Sequence, residues 1–159
     1  LAAGSEAAAH RAALRAGGRT VAVLGTGISR TYPSANAALQ QQIGEQGLVL
    51  SQFLPDAGPT RESFPMRNAV MSGFGLASLV VEAGERSGAR IQARVAGEHG
   101  RRVILTARVA QDTTWGAALV GAPHVQVVED LDDLSQAVRW ARDAPERLRR
   151  ATAALADLP

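Results

Sequence analysis

The amino-acid sequence predicts an α/β domain built as a three-layer sandwich, with helices covering both faces of a mostly parallel sheet. Short apolar runs rich in Val, Leu and Ile alternate five times with helical segments, a pattern that calls for parallel strands joined by crossovers. At 159 residues and 46% hydrophobic content the chain can bury one substantial core. No repeat or low-complexity linker interrupts residues 18–142. One domain is therefore expected over residues 1–142, with a C-terminal helix or tail over 143–159.

Residues 5–16 are rich in strong helix formers, and Gly17-Gly18 supplies a stop, so a helix is expected from Ser5 with Glu6 in its first turn. A chain that opens on a helix feeding a strand lacks the strand before it. It is expected to be a piece of a longer protein or an unusually short one. Residues 20–24, TVAVL, form the first strand and lead into Gly25-Thr26-Gly27, where glycines allow a backbone to approach a ligand. No helix follows at once, so the dinucleotide-binding fingerprint is absent. A helix is expected from about Ser34, a suitable N-cap, to Glu45, ending at Gly47. Residues 48–53 are the next strand, and residues 55–59, PDAGP, a rigid loop.

The stretch from 64 to 100 organises the rest. A polar segment ending at Phe74-Gly75 precedes a buried strand over residues 76–83, after which Ser87-Gly88 opens a helix with Ile91, Ala93, Val95 and Ala96 on one side. In parallel α/β sheets such a strand-to-helix turn lies at the carboxyl edge, where helix N–H groups and the macrodipole attract anions. Arg86, Arg90 and Arg94 surround this turn, and Arg67 comes from the preceding polar segment. The residues thus propose an anion site, most plausibly for phosphate. Beyond it, residues 102–106 make a strand, 107–114 a loop, 115–121 a short helix and 125–128 the last strand. A closing helix is expected over 131–142, with Leu134, Val138 and Trp140 partly buried.

Composition excludes several chemistries. With no cysteine there is no disulfide or thiolate chemistry, and His10, His99 and His124 lack metal-ligand spacing. No apolar run approaches the length of a membrane span, and the opening lacks the order of a signal peptide, so a cytoplasmic protein is expected. All 17 basic residues are arginine, against 15 acidic residues. That inventory suits phosphate recognition and equally a GC-rich genome. No paired nucleophile and base emerges, so neither catalysis nor a cofactor is expected.

Several motifs resemble the DNA-processing protein A (DprA or Smf) family. Residues 1–33 resemble the family's LARGID, AAHRGAL, GGRTIAVLGTG and YP in that order, FPMRNAVMSG resembles FPxRNRIIAG, and residues 79–103 resemble its VVEAxxxSGSLITA segment. The resemblance spans residues 1–134. Departures include Ser5-Glu6 for Ile-Asp, Ala69 for the second arginine, Arg90 for leucine and Gln92 for threonine, with little agreement after Thr106. The chain therefore reads as a divergent or truncated member.

The resemblance implies a Rossmann-like fold, single-stranded DNA as ligand, a role in DNA uptake, contact with a RecA-type recombinase and homodimerisation. It also implies that Arg67 and Asn68 contact the nucleic-acid backbone; the residues of the strand-to-helix turn add Arg86, Ser87, Gly88 and Arg90 to the candidate site, with Gly25, Thr26 and Gly27 as candidates for lining the same cleft. Each has a plainer role: Arg67 pairs with Glu82 or caps a helix, Ser87 is an N-cap, and the glycines shape a turn. Tyr32 and Phe64 are candidates for stacking on a base, Phe64 equally for the core. The alternative function is a nucleotide sensor or nucleotide-processing enzyme using that cleft, with Glu82 as its carboxylate.

Overall fold

The computed structural model describes the backbone of residues 1–156 and the side chains of residues 1–146. The chain divides into two compact units, Leu1–Gly73 and Phe74–Pro159. Every strand pairing within them is parallel.

In the first unit, α1 (Ser5–Arg15) leads to β1 (Val21–Val23). Gly17 closes α1 with a φ of 70°, a left-handed turn that glycine adopts without the steric cost other residues bear. A 3₁₀ turn over Ser34–Asn36 precedes α2 (Ala37–Gln46), and β2 (Leu48–Leu50) pairs with β1 in the register Val21 to Leu48. The core joins Ala7 of α1, Ala22 and Leu24, and Leu39 and Ile43 of α2, with Val49 packed against them. Spacing of four between Leu39 and Ile43 puts both on the face of α2 that meets the strands.

Residues 64–74, expected as a polar segment, are helical instead: α3 runs Ser63–Phe74. Pro65 invites a non-helical reading, yet it falls in the first turn, where the missing N–H has no intrahelical partner to lose. The start is fixed by a reciprocal cap. Ser63 N–H donates to Thr60 Oγ1 and Thr60 N–H to Ser63 Oγ, each at 3.1 Å.

In the second unit, β3 (Ala77–Val80), β4 (Arg102–Thr106) and β5 (Val125–Val128) form a sheet in that order. Alternation along β4 sends neighbours to opposite faces. Val103 and Leu105 pack with Val80, with Ala93 and Ala96 of α4 (Gly88–Glu98), and with Val109 and Trp115. Ile104 packs on the other face with Val128 and Ala137 of α7 (Leu131–Ala156). A sheet buried on both faces explains why β4 reads as an unbroken apolar run.

Two further expectations are corrected here. Residues 107–114 are not a loop: α5 spans Ala107–Asp112 and α6 spans Thr114–Leu119. Six residues are too few to show a helical period, but Thr106 and Thr113 cap the two helices by accepting from Val109 N–H and Gly116 N–H. The closing helix extends well past residue 142, carrying helical structure into the C-terminal segment; residues 157–159 and the core face of 147–156 lie outside the described residues. Among its described side chains Ala137 and Ala141 are buried, whereas Val138 is 52% exposed. No helix among the described residues is long and apolar enough to cross a membrane.

Candidate functional site

The strand-to-helix turn after β3 sits at the carboxyl edge of its parallel sheet. Ser87 is the N-cap of α4, as its side chain accepts from Ala89 N–H at 3.2 Å. Its own N–H donates to Gly84 carbonyl at 3.1 Å, which closes the turn. Arg86, Gly88 and Arg90 are exposed around this cap. Neither Arg86 nor Arg90 has a carboxylate within ion-pair distance among the described residues, whereas Arg94 is paired along the helix with Glu98. Of the arginines on this turn, the two nearest the cap are thus held by no carboxylate of the described residues.

Arg67 occupies a different environment. It is 8% exposed, and its Nη1 donates to both oxygens of Glu6, at 3.0 and 3.3 Å, and to Val23 carbonyl at 3.4 Å. Its partner is thus neither Glu82 nor a helix C-terminus. Burial raises the Glu6 pKa, but the Arg67 guanidinium and the Leu1 amino group outweigh it and hold the carboxyl below its ordinary value. Leu1 nitrogen stands 3.0 Å from the same carboxylate, and His10 Nε2 stands at 4.0 Å. His10 Nδ1 lies 2.7 Å from Thr20 Oγ1, and burial of the ring holds its pKa below the ordinary value despite Glu6. Asn68 is likewise buried and engaged.

Gly25, Thr26 and Gly27 are all buried. A Cβ on Gly25 would meet the Phe64 ring at 2.9 Å, and one on Gly27 would meet Leu54 carbonyl oxygen at 2.0 Å. Gly27 N–H donates to Ala57 carbonyl at 2.8 Å, and Ser51 Oγ donates to Thr26 carbonyl at 2.7 Å. The close approach that needs glycine here is the protein's own, from Phe64 and the 54–57 loop. Phe64 also meets Tyr32, with ring centroids 5.7 Å apart, and Tyr32 remains half exposed.

Two contributors are missing from the sequence-based set. Glu6, the partner of Arg67, stands where the family has aspartate, and an acid at that position is the available signal. Glu85 hydrogen-bonds the start of α6 through Thr114, and nothing in the local sequence announces a contact between residues so far apart.

Comparison with known proteins decides the ancestry. The model of the DNA recombination-mediator protein A family matches residues 1–139. The chain belongs to that family. The Smf protein of Synechocystis is 48% identical over 104 residues, covering 65% of this chain and 26% of its own length. DprA of Streptococcus pneumoniae is 47% identical over 104 residues, covering 65% of this chain and 37% of its own length. This family member thus spans well under half the length of those curated relatives. The crystal structure of S. pneumoniae DprA superposes with a TM-score of 0.70 at 34% identity over 84% of this chain and 47% of that one. DprA from Helicobacter pylori, described with a single-stranded DNA binding mode, gives a TM-score of 0.66 at 20% identity, over 75% of this chain and 55% of its own; that likeness establishes the fold alone. The fold is accordingly Rossmann-like.

Proposed function

We propose that this chain is a single-stranded DNA-binding module that grips the polynucleotide backbone at the carboxyl edge of the β3–β4–β5 sheet. The observation that carries the proposal is the α4 turn: the exposed Arg86 and Arg90 flank the capped N-terminus, without a carboxylate partner among the described residues, in a chain of a recombination-mediator family. Guanidinium groups beside a helix N-terminus form charge-assisted bonds to phosphate, and such contacts position a strand without reading its bases. Ser87 and Gly88 lie between the two arginines and complete the contact surface.

Arg67, Asn68, Gly25, Thr26 and Gly27 enter the proposal as framework of the first unit, since all are buried. Exposed Tyr32 is a stacking candidate. The described single-stranded DNA binding mode of H. pylori DprA is consistent with this reading. By family resemblance, the proposal extends to DNA uptake, loading of a RecA-type recombinase and self-association.

The test is fluorescence anisotropy with a labelled single-stranded oligonucleotide at low and moderate salt. Affinity that falls steeply with salt and varies little with sequence is expected. Absence of binding at both salt concentrations refutes it. A thermal shift with mononucleotides but not with oligonucleotides favours the nucleotide-sensor reading instead.

A further inference from the structure

The loop carrying Arg86 and Ser87 is fastened to the start of α6, at its junction with α5, and to the end of β4. Glu85 accepts from Thr114 N–H through one carboxylate oxygen and from Thr114 Oγ1, at 3.0 Å, through the other. Trp115 Nε1 donates to Gly84 carbonyl at 3.3 Å, and Thr106 Oγ1 donates to Val81 carbonyl at 2.9 Å. The receiving side is rigid. Trp115 is part of the apolar core, and Thr113 is buried, donating to Val109 carbonyl at 2.7 Å and accepting from Gly116 N–H at 3.0 Å. The loop side is exposed from Glu82 through Arg86 apart from the half-buried Ala83. Its contacts with these elements, the turn closed by Ser87 on Gly84 and the packing of Ala83 on the core define its course.

We propose that Glu85 is a positioning residue for the nucleic-acid interface: by clamping the start of α6, its carboxylate fixes the course of the 81–87 loop and is held by Thr114 instead of neutralising Arg86. This rests on the proposed function above and adds the element that preorganises it. Preorganisation matters because an interface pays for every side chain and loop it must order on binding. Glu85 lies next to Arg86 in the chain, so its engagement with Thr114 has two effects at once. It holds the backbone on which Arg86 is mounted, and it occupies the carboxylate that would otherwise compete with phosphate for the guanidinium.

The proposal makes a prediction opposite in sign to that of an ordinary surface acid. Removing a negative charge beside a phosphate-binding surface strengthens binding by simple electrostatics. Removing a clamp weakens it. In the full chain, Glu85→Ala is expected to weaken binding of a labelled oligothymidylate by about three- to tenfold, the size of effect set by ordering a short loop on binding. Glu85→Gln, which keeps an acceptor of the same shape, is expected to lose less. In an Arg86→Ala background the effect of Glu85→Ala should shrink to under about twofold, because the residue through which it acts is gone. Hydrogen exchange of the 81–88 amides should accelerate in Glu85→Ala with no DNA present.

Equal or tighter binding by Glu85→Ala, or an undiminished loss in the Arg86→Ala background, overturns the proposal. Unchanged exchange of the loop amides overturns the clamp whatever the binding result. If the wild-type chain binds no oligonucleotide while the loop still loosens in Glu85→Ala, the interface reading fails and the positioning role falls with it, leaving a purely structural clamp.

Discussion

Glu6→Gln should destabilise the first unit through the buried guanidinium it leaves behind. Arg67 is almost fully enclosed, and the nearest Glu6 oxygen lies 3.0 Å from its Nη1. At that separation and an effective dielectric near 20, the attraction is about 5 kcal/mol. The Glu6 side chain is 24% exposed, so water screens part of that attraction, and Val23 carbonyl still accepts from Arg67 in the variant. A net loss of about 2–4 kcal/mol follows, somewhat below the roughly 3–5 kcal/mol typical when one partner of a fully buried pair is removed. For a chain of this size that corresponds to a melting temperature lower by about 5–15 °C.

Urea titration monitored by circular dichroism, with a parallel thermal scan, measures both quantities. The companion variant Glu6→Leu with Arg67→Met should recover part of the loss, because the guanidinium is no longer stranded and the buried Arg67 Nε, without a hydrogen-bond partner among the described residues, is also removed, while the Leu1 amino group still loses its carboxylate. A Glu6→Gln protein within about 0.5 kcal/mol of wild type, or a double variant no more stable than the single one, would refute the assignment of Glu6 as the compensating charge.

Stability should fall on acidification, with one stage from His10 and a lower one from Glu6. His10 and Glu6 both have folded pKa values below their ordinary ones of 6.5 and 4.5, so each contributes stability present above that value and lost as pH falls below it. His10→Gln should flatten the upper stage, and an unchanged slope of melting temperature against pH between about 7.5 and 5.5 would count against burial as the cause. Gly27→Ala should cost about 3 kcal/mol, because the new Cβ meets backbone oxygens of Leu54 at 2.0 Å and Pro55 at 2.2 Å, neither of which can rotate away. Gly25→Ala should cost about 1 kcal/mol, since its neighbour is the movable Phe64 ring; equal costs in denaturant titrations would contradict that distinction. Arg86→Ala and Arg90→Ala should each reduce the slope of log affinity against log salt by about 0.7 for single-stranded DNA. Arg94→Ala should change the slope less because Glu98 already holds that guanidinium; three equal reductions would remove the special standing of the α4 cap.

The sequence by itself determined the alternation of strands and helices, and with it the parallel α/β class. β4 and β5 fall where their apolar runs place them, and Ser87 caps α4, because a β-branched run and a Ser-Gly turn are local signals that neighbouring residues suffice to set. Helices α3 and α5 were hidden, one by a proline that is harmless in a first turn and the other by having only six residues. The division of the arginines was decided only by tertiary structure. Arg67 and Arg86 carry the same charge and both sit beside motif residues, yet one is drawn inside by Glu6, 61 positions away, while the other stays in solvent next to a glutamate committed to Thr114. Which guanidinium is left for a ligand depends on which carboxylates the fold brings within 4 Å, and that distance is a property of the folded chain, written in no stretch of neighbouring residues.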